Sequence, residues 1–165
     1  MRPRIAREAI TKPANLSRAR GGGTFSVLVA EDNEINALLA RKVIERAGGR
    51  AIIVKDGRSA IAAIWDAIER RSPIFDLILM DVLMPGIDGL MAAKTIKSHY
   101  AERRHLGLTV PPIIALTANA FPEDRDRCRA AGMDDYLAKP FDAQHLQDLL
   151  LRWAPQQMDK TSPAA

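Results

Sequence analysis

A chain of 165 residues, 47% hydrophobic and 27% charged, is long enough for one domain with its own core, and its composition is neither disordered nor collagen-like. A single cysteine, Cys128, excludes a disulfide framework and a multi-cysteine zinc site, and no apolar run nears the length of a membrane-spanning helix. Of 24 basic and 20 acidic residues, six basic ones (Arg2, Arg4, Arg7, Lys12, Arg18, Arg20) and Glu8 lie in residues 1–24, which leaves 18 against 19 beyond, so the net +4 belongs to that tail.

The tail starts MRPRIAREAITKPANL, without the apolar stretch of a secretory signal, so the expected compartment is the cytoplasm. It has no aromatic residue before Phe25 and reads as a solvated linker rather than a nucleic-acid or membrane contact. Gly21-Gly22-Gly23 ends it, and order is expected from Phe25. Val27–Ala30 is the first continuous apolar run, followed by Glu31 and Asp32, with Asp32 or Asn33 suited to cap a helix. Ile35, Leu38, Leu39 and Val43 form a helical stripe, taken as the face that packs on a sheet. A strand over Ala51–Val54 comes next, then a helix with Ile61, Ile64, Trp65 and Ile68 on one face. Phe75–Met80 is the third run, followed by Asp81; Ile113–Leu116 is the fourth, followed by Thr117 and Ala118. The segment between them, Ser98–Val110, is long for a connection. A weaker run surrounds Tyr136 and Leu137, ahead of Lys139 and Pro140. Leu146, Leu149, Leu150 and Trp153 make the last helical stripe, and the polar residues after it read as a disordered tail. The expected organisation is a tail over 1–24, a domain over 25–153 and a tail over 154–165. The three histidines lack metal-ligand spacing and read as surface residues, and Cys128 reads as a small packing residue.

Continuous rather than alternating apolarity suits strands buried on both faces, as in a parallel sheet. Five strand–helix repeats with right-handed crossovers give a three-layer α/β sandwich with a doubly wound, five-stranded parallel sheet. In such sheets ligands bind beyond the carboxyl ends of the strands. Glu31, Asp32, Asp81, Thr117 and Lys139 all fall there. Three carboxylates within a few ångströms disfavour one another's ionisation, and magnesium, a hard cation that takes oxygen ligands, relieves this. A spare carboxylate beside it can attack a phosphoryl group, while a lysine offsets charge on the transferring oxygens.

Four blocks, VLVAEDNEIN, LILMDVLMPGIDG, IIALTA and YLAKPF, in this order and at these separations, resemble the receiver domain of two-component response regulators, a flavodoxin-like fold, over roughly residues 25–153. The resemblance implies that Asp81 is the phosphoacceptor and that Glu31 and Asp32 hold Mg2+, with Asp32 as direct ligand and the Leu83 carbonyl adding to it. It implies further that Thr117 and Tyr136 form the switch, that Lys139 contacts the phosphoryl group and that Pro140 follows a cis bond. Gly86 and Gly89 fall at the turn after the acceptor, where unusual backbone angles cost glycine little. Glutamate at 31, where many members carry aspartate, favours a water-mediated metal contact. The Glu31-Asp32-Asn33 run with Asn36, the long Ser98–Val110 segment and the glycine-rich linker are similar to receivers of hybrid sensor histidine kinases. The partners implied are a histidine kinase dimerisation domain or a histidine phosphotransfer protein.

A haloacid dehalogenase-type phosphatase needs a second aspartate at position 83, which is leucine, and no P-loop motif occurs. An FMN module would need a hydroxyl-rich phosphate loop. A degenerate docking receiver would have lost Asp81 or Lys139, and both are present. A stand-alone single-domain regulator is the main alternative to the hybrid context. The expected docking face is the first helix with the loop after Lys139: Asn36, Ala37, Ala40 and Arg41, off the presumed buried stripe, with Phe141 as an aromatic anchor.

Overall fold

The computed structural model describes residues 25–70, 75–119 and 121–153; the two predicted tails lie outside them. Strands and helices alternate: β1 (Ser26–Ala30), α1 (Glu34–Arg46), β2 (Arg50–Val54), α2 (Gly57–Arg70), β3 (Leu77–Asp81), α3 (Gly89–Glu102), β4 (Ile113–Thr117), α4 (Pro122–Ala130), β5 (Asp135–Ala138) and α5 (Ala143–Trp153). The strands form one parallel sheet in the order β2-β1-β3-β4-β5. This is the doubly wound sheet that the apolar runs predict. β1, β3 and β4 are buried along their whole length, whereas β2 and β5, on the edges, are largely half-buried. That gradient explains why the β5 run is the weakest in the sequence: an edge strand has less surface to bury.

The side chains of each strand alternate between two cores. Leu28, Ile78, Met80 and Ile113 point to the face covered by α2, α3 and α4, which supply Ile64, Ile96 and Cys128. Val27, Leu77, Leu79 and Leu116 point to the other face, covered by α1 and α5. Helix α5 buries Leu146, Leu149 and Leu150, as its stripe predicts, and the Trp153 Nε1–H donates to Asp135 at 2.7 Å, which ties the end of α5 to the start of β5. Part of the long segment Ser98–Val110 is helical: α3 runs to Glu102, a 3₁₀ turn spans Arg104–Leu106, and Gly107 takes a left-handed conformation. Among the described residues no helix is long and apolar enough to cross a membrane.

Helix α1 departs from expectation. Its buried residues are Ala37, Ala40, Val43 and Ile44, while Ile35 and Leu38 are 79% and 52% exposed. The buried arc is therefore rotated by roughly a third of a turn from the stripe of large apolar residues. Ala40, Val43 and Ile44 of this inward face join the core shared with the sheet and α5. In α2, Ile64 and Ile68 are buried as predicted and Trp65 sits at the margin.

The two glycines after β3 serve different ends. Gly86 has a φ of +78°, the left-handed region where a side chain is strained. Gly89 does not have a positive φ; instead a Cβ there would lie 2.1 Å from the Asp81 carbonyl oxygen. Its role is close approach of α3 to the strand end, not an unusual backbone angle. Gly86→Ala is expected to cost about 1–2 kcal/mol. Gly89→Ala should cost more, since backbone rather than a flexible side chain must move. Urea unfolding of both variants checks the ranking, and a milder effect at Gly89 would contradict the close approach.

Candidate active site

The ends of β1, β3 and β5 converge on one sheet edge. Glu31, 1% exposed, follows β1, and its backbone N–H is held by the Val54 carbonyl at 3.0 Å. Asn33 is the cap of α1: its Oδ1 accepts from the Ile35 and Asn36 N–H groups at 3.0 and 3.1 Å. Capping by Asn33 leaves the exposed Asp32 carboxylate free of that task. Asp81 ends β3 and is 3% exposed. Its Oδ1 accepts from the Leu83 N–H at 3.1 Å, and its Oδ2 accepts from the Lys139 ammonium at 2.8 Å. The same ammonium lies 2.8 Å from Glu31 Oε2, at angles outside those of a hydrogen bond, so this buried oxygen has charge compensation and no hydrogen bond.

Oxygens of Glu31, Asp32 and Asp81 lie within 4.8 Å of one another. Among the described residues, three clustered carboxylates, one of whose buried oxygens lacks a hydrogen bond, face the single ammonium of Lys139, a donor set that fits a hard divalent cation. The Leu83 N–H is turned to the Asp81 carboxylate, and the Leu83 side chain is 68% exposed.

Burial pushes the Asp81 carboxyl up from 3.8 to about 6; the Lys139 hydrogen bond opposes the rise, and the Glu31 charge adds to it. For Lys139, burial works to lower the pKa, but the Asp81 hydrogen bond and the close charges of Asp81 and Glu31 outweigh it and hold the ammonium above the ordinary lysine value. The site thus carries a charge deficit that its own lysine does not cancel.

Thr117 is 6% exposed and stands at the end of β4. Its hydroxyl donates to the Asn119 carbonyl at 2.9 Å and accepts from the Asn119 N–H at 3.1 Å, so it is engaged with its own loop. Tyr136 is half-buried in β5, under the Arg125 guanidinium of α4, a contact that the sequence reading missed. The Lys139–Pro140 bond is cis. Three expected docking residues are corrected. Ala37 is 8% exposed, Ala40 is fully buried, and Phe141 is 8% exposed and packed with Leu146 and Leu149 in the α1–α5 core, so none of them can meet a partner. Asn36 is half-buried at the start of α1. Cys128 packs in the core as expected, and His99 is half-buried against Trp65, 4.5 Å between ring centroids, rather than a free surface residue.

The raised Asp81 pKa sets a pH dependence of stability. Its contribution is intact below pH 3.8 and is lost as pH rises through about 6, because the folded state resists ionisation that the unfolded state accepts. Asp81→Asn, neutral throughout, should therefore melt higher than the parent near neutral pH when divalent cations are chelated. The expected gain is about 1–2 kcal/mol after allowing for the weakened Lys139 contact. It should vanish as pH falls from about 6 toward 3.8; a gain independent of pH would contradict the assignment. Thermal melts of both proteins across that range supply the measurement.

Comparison with known proteins agrees with this geometry. The model of the response regulator receiver domain matches residues 27–151. The sensor protein GacS of Pseudomonas syringae pv. syringae is 36% identical over 151 residues, which are 92% of this chain and 15% of that relative. The receiver domain of the sensor histidine kinase PA1611 from Pseudomonas aeruginosa, solved with magnesium coordinated in its active site cleft, is 39% identical with a TM-score of 0.64, covering 79% of this chain and 97% of that one. The receiver domain of Saccharomyces cerevisiae Ssk1, solved with the histidine phosphotransfer protein Ypd1, is 26% identical with a TM-score of 0.71, covering 82% and 92%. This chain belongs to the response regulator receiver domain family, and its relatives include the receivers of hybrid sensor histidine kinases.

Proposed function

We propose that this domain is the phosphoacceptor of a phosphorelay, taking a phosphoryl group from a phosphohistidine onto Asp81 with Mg2+, as a cytoplasmic part of a hybrid sensor histidine kinase. The observation that carries the reading is the bridge of Lys139 to both Asp81 and Glu31 at 2.8 Å beside the three clustered carboxylates. In the transfer the imidazole N–P bond breaks and an Asp81 carboxylate oxygen forms the new bond to phosphorus. The electron pair of the broken bond stays on the imidazole.

The residues around Asp81 have distinct tasks in this scheme. Lys139 gives its ammonium to a phosphoryl oxygen, a stronger partner than the carboxylate it holds in the resting site. The Leu83 N–H steadies the carboxylate from the loop side. Thr117 leaves Asn119 and donates its hydroxyl to the phosphoryl group, and the Tyr136 ring takes the space vacated. Asp32, Asp81 and Glu31, with the Leu83 carbonyl, would hold magnesium, which would supply positive charge to offset that of the phosphoryl oxygens.

The partner's imidazole must approach along the strand ends, over the start of α1. Ile35 and Leu38 lie one turn apart on the outward face of that helix, and their exposure favours an apolar helical partner surface such as a histidine phosphotransfer protein presents. Two experiments test the reading. Acetyl phosphate with magnesium should label the parent and leave Asp81→Asn unlabelled; equal labelling would remove Asp81 from the role. Ile35→Asp should slow transfer from a phosphohistidine donor by about tenfold or more, as an interface anchor does. Labelling of that variant by acetyl phosphate, which needs no docking, should stay within about twofold. Unchanged transfer from the protein donor would place the docking face elsewhere.

A further inference from the structure

The Arg125 guanidinium lies 4.5 Å from the centroid of the Tyr136 ring. Arg125 is exposed on α4, and among the described residues its side chain makes no ion pair, so the ring is its partner. Tyr136 pairs with Ala115 across the β4–β5 ladder, two residues before Thr117. It packs at the edge of the core shared by α2, α3 and α4. In the same structure the Thr117 hydroxyl is satisfied twice by Asn119. A cavity of about 40 Å³ lies beside it, lined by Val82, Leu83, Leu90, Asn119 and Cys128 among others. Thr117, Ala118 and Asn119 border this space, and the Tyr136 ring on the next strand carries a cation on its face.

We propose that Arg125 is a positioning residue that sets the resting point of the switch: stacked on Tyr136, it stabilises the ring position that accompanies Thr117 turned toward Asn119. This inference rests on the switch reading given above and adds to it the residue that opposes activation. A guanidinium suits the task because it is planar, always charged and weakly hydrated, so it can stack on a half-exposed ring while its donors face water. The stack is weak, as an exposed contact of this kind is, and therefore biases the switch without locking it.

The test uses the full chain with magnesium and beryllofluoride as a phosphoryl mimic. In the parent, the Arg125 side-chain protons should show an upfield ring-current shift that disappears in Tyr136→Leu; no such shift would remove the contact. Arg125→Gln should bind beryllofluoride about two- to fivefold more tightly, the range expected for loss of an exposed cation–π contact. Arg125→Lys, which keeps the charge without the planar fork, should fall between Gln and the parent. In the Tyr136→Leu background Arg125→Gln should change affinity by no more than measurement error. Unchanged or weaker binding by Arg125→Gln, or the same gain with leucine at 136, overturns the proposal. If the parent binds beryllofluoride without shifts between Thr117 and Phe141, the switch reading fails and the role of Arg125 fails with it. Shifts in the parent with no effect of Arg125→Gln would sink the role of Arg125 alone.

Discussion

Two buried carboxylates share one ammonium at this sheet edge. Asp81 and Glu31 have almost no solvent, and Lys139 is 2.8 Å from an oxygen of each. Asp32 adds a third negative charge from the rim. In a site partly shielded from water, one ammonium against three carboxylates is an arrangement that no further group among the described residues completes. The electrostatic consequence has two sides. The deficit raises the proton affinity of Asp81, and it also favours a divalent cation, which relieves the same repulsion. A proton and a metal ion are therefore competitors for one cluster, and either one relieves the repulsion among its carboxylates.

The fold is arranged to impose this juxtaposition. A parallel sheet sends every strand's carboxyl end to the same edge, so residues far apart in sequence meet without any long-range loop design. The register sets Asp81 beside Leu116 and Thr117 beside Ala138, and the Lys139 N–H is fixed to the Thr117 carbonyl at 2.7 Å. That backbone bond fixes where the lysine stem starts, and the stem then spans β4 to reach Asp81 on β3. On the far side of Asp81, Gly89 lets α3 begin directly against the strand end, which a side chain at that position would prevent. The apolar cores above and below do not touch the chemistry; they fix the height and spacing of the strand ends.

Much of this was legible in the sequence because the relevant signals are strong. Continuous apolar runs mark strands covered on both faces, and polar residues directly after four of them mark the functional edge. The face of α1 was not legible. Ile35, Leu38, Leu39 and Val43 have helical spacing and large side chains, whereas the residues that face inward include Ala37 and Ala40. Periodicity weighs size and apolarity, so it passes over alanines that lie on the buried face beside Val43 and Ile44. The exposed Ile35 and Leu38 are then the informative ones, since large apolar side chains left in water on an otherwise well-packed helix point to a surface that is covered part of the time. Phe141 failed for the converse reason: an aromatic residue beside a functional lysine was taken as a surface anchor, and the α1–α5 core had space for it. The Arg125 stack has no sequence signature, because its two residues come from different elements and the spacing between them carries no period.

The distribution of burial also separates the parts that must hold still from those that can move. β3, which carries Asp81, is buried along its whole length with neighbours on both sides, so displacing it would disrupt both cores. β5 is short, half-buried and on an edge, and it carries Tyr136 and leads into Lys139. Local rearrangement costs least where few apolar contacts are broken. The proposed acceptor therefore sits on the most constrained strand and the proposed responding residues sit on the least constrained one, with β4 and Thr117 between them. In such a layout a small change in charge at Asp81 cannot be relieved by moving Asp81. It has to be relieved at the Thr117 loop and β5, and the weak contacts there, the Asn119 turn and the Arg125 stack, determine how readily that happens.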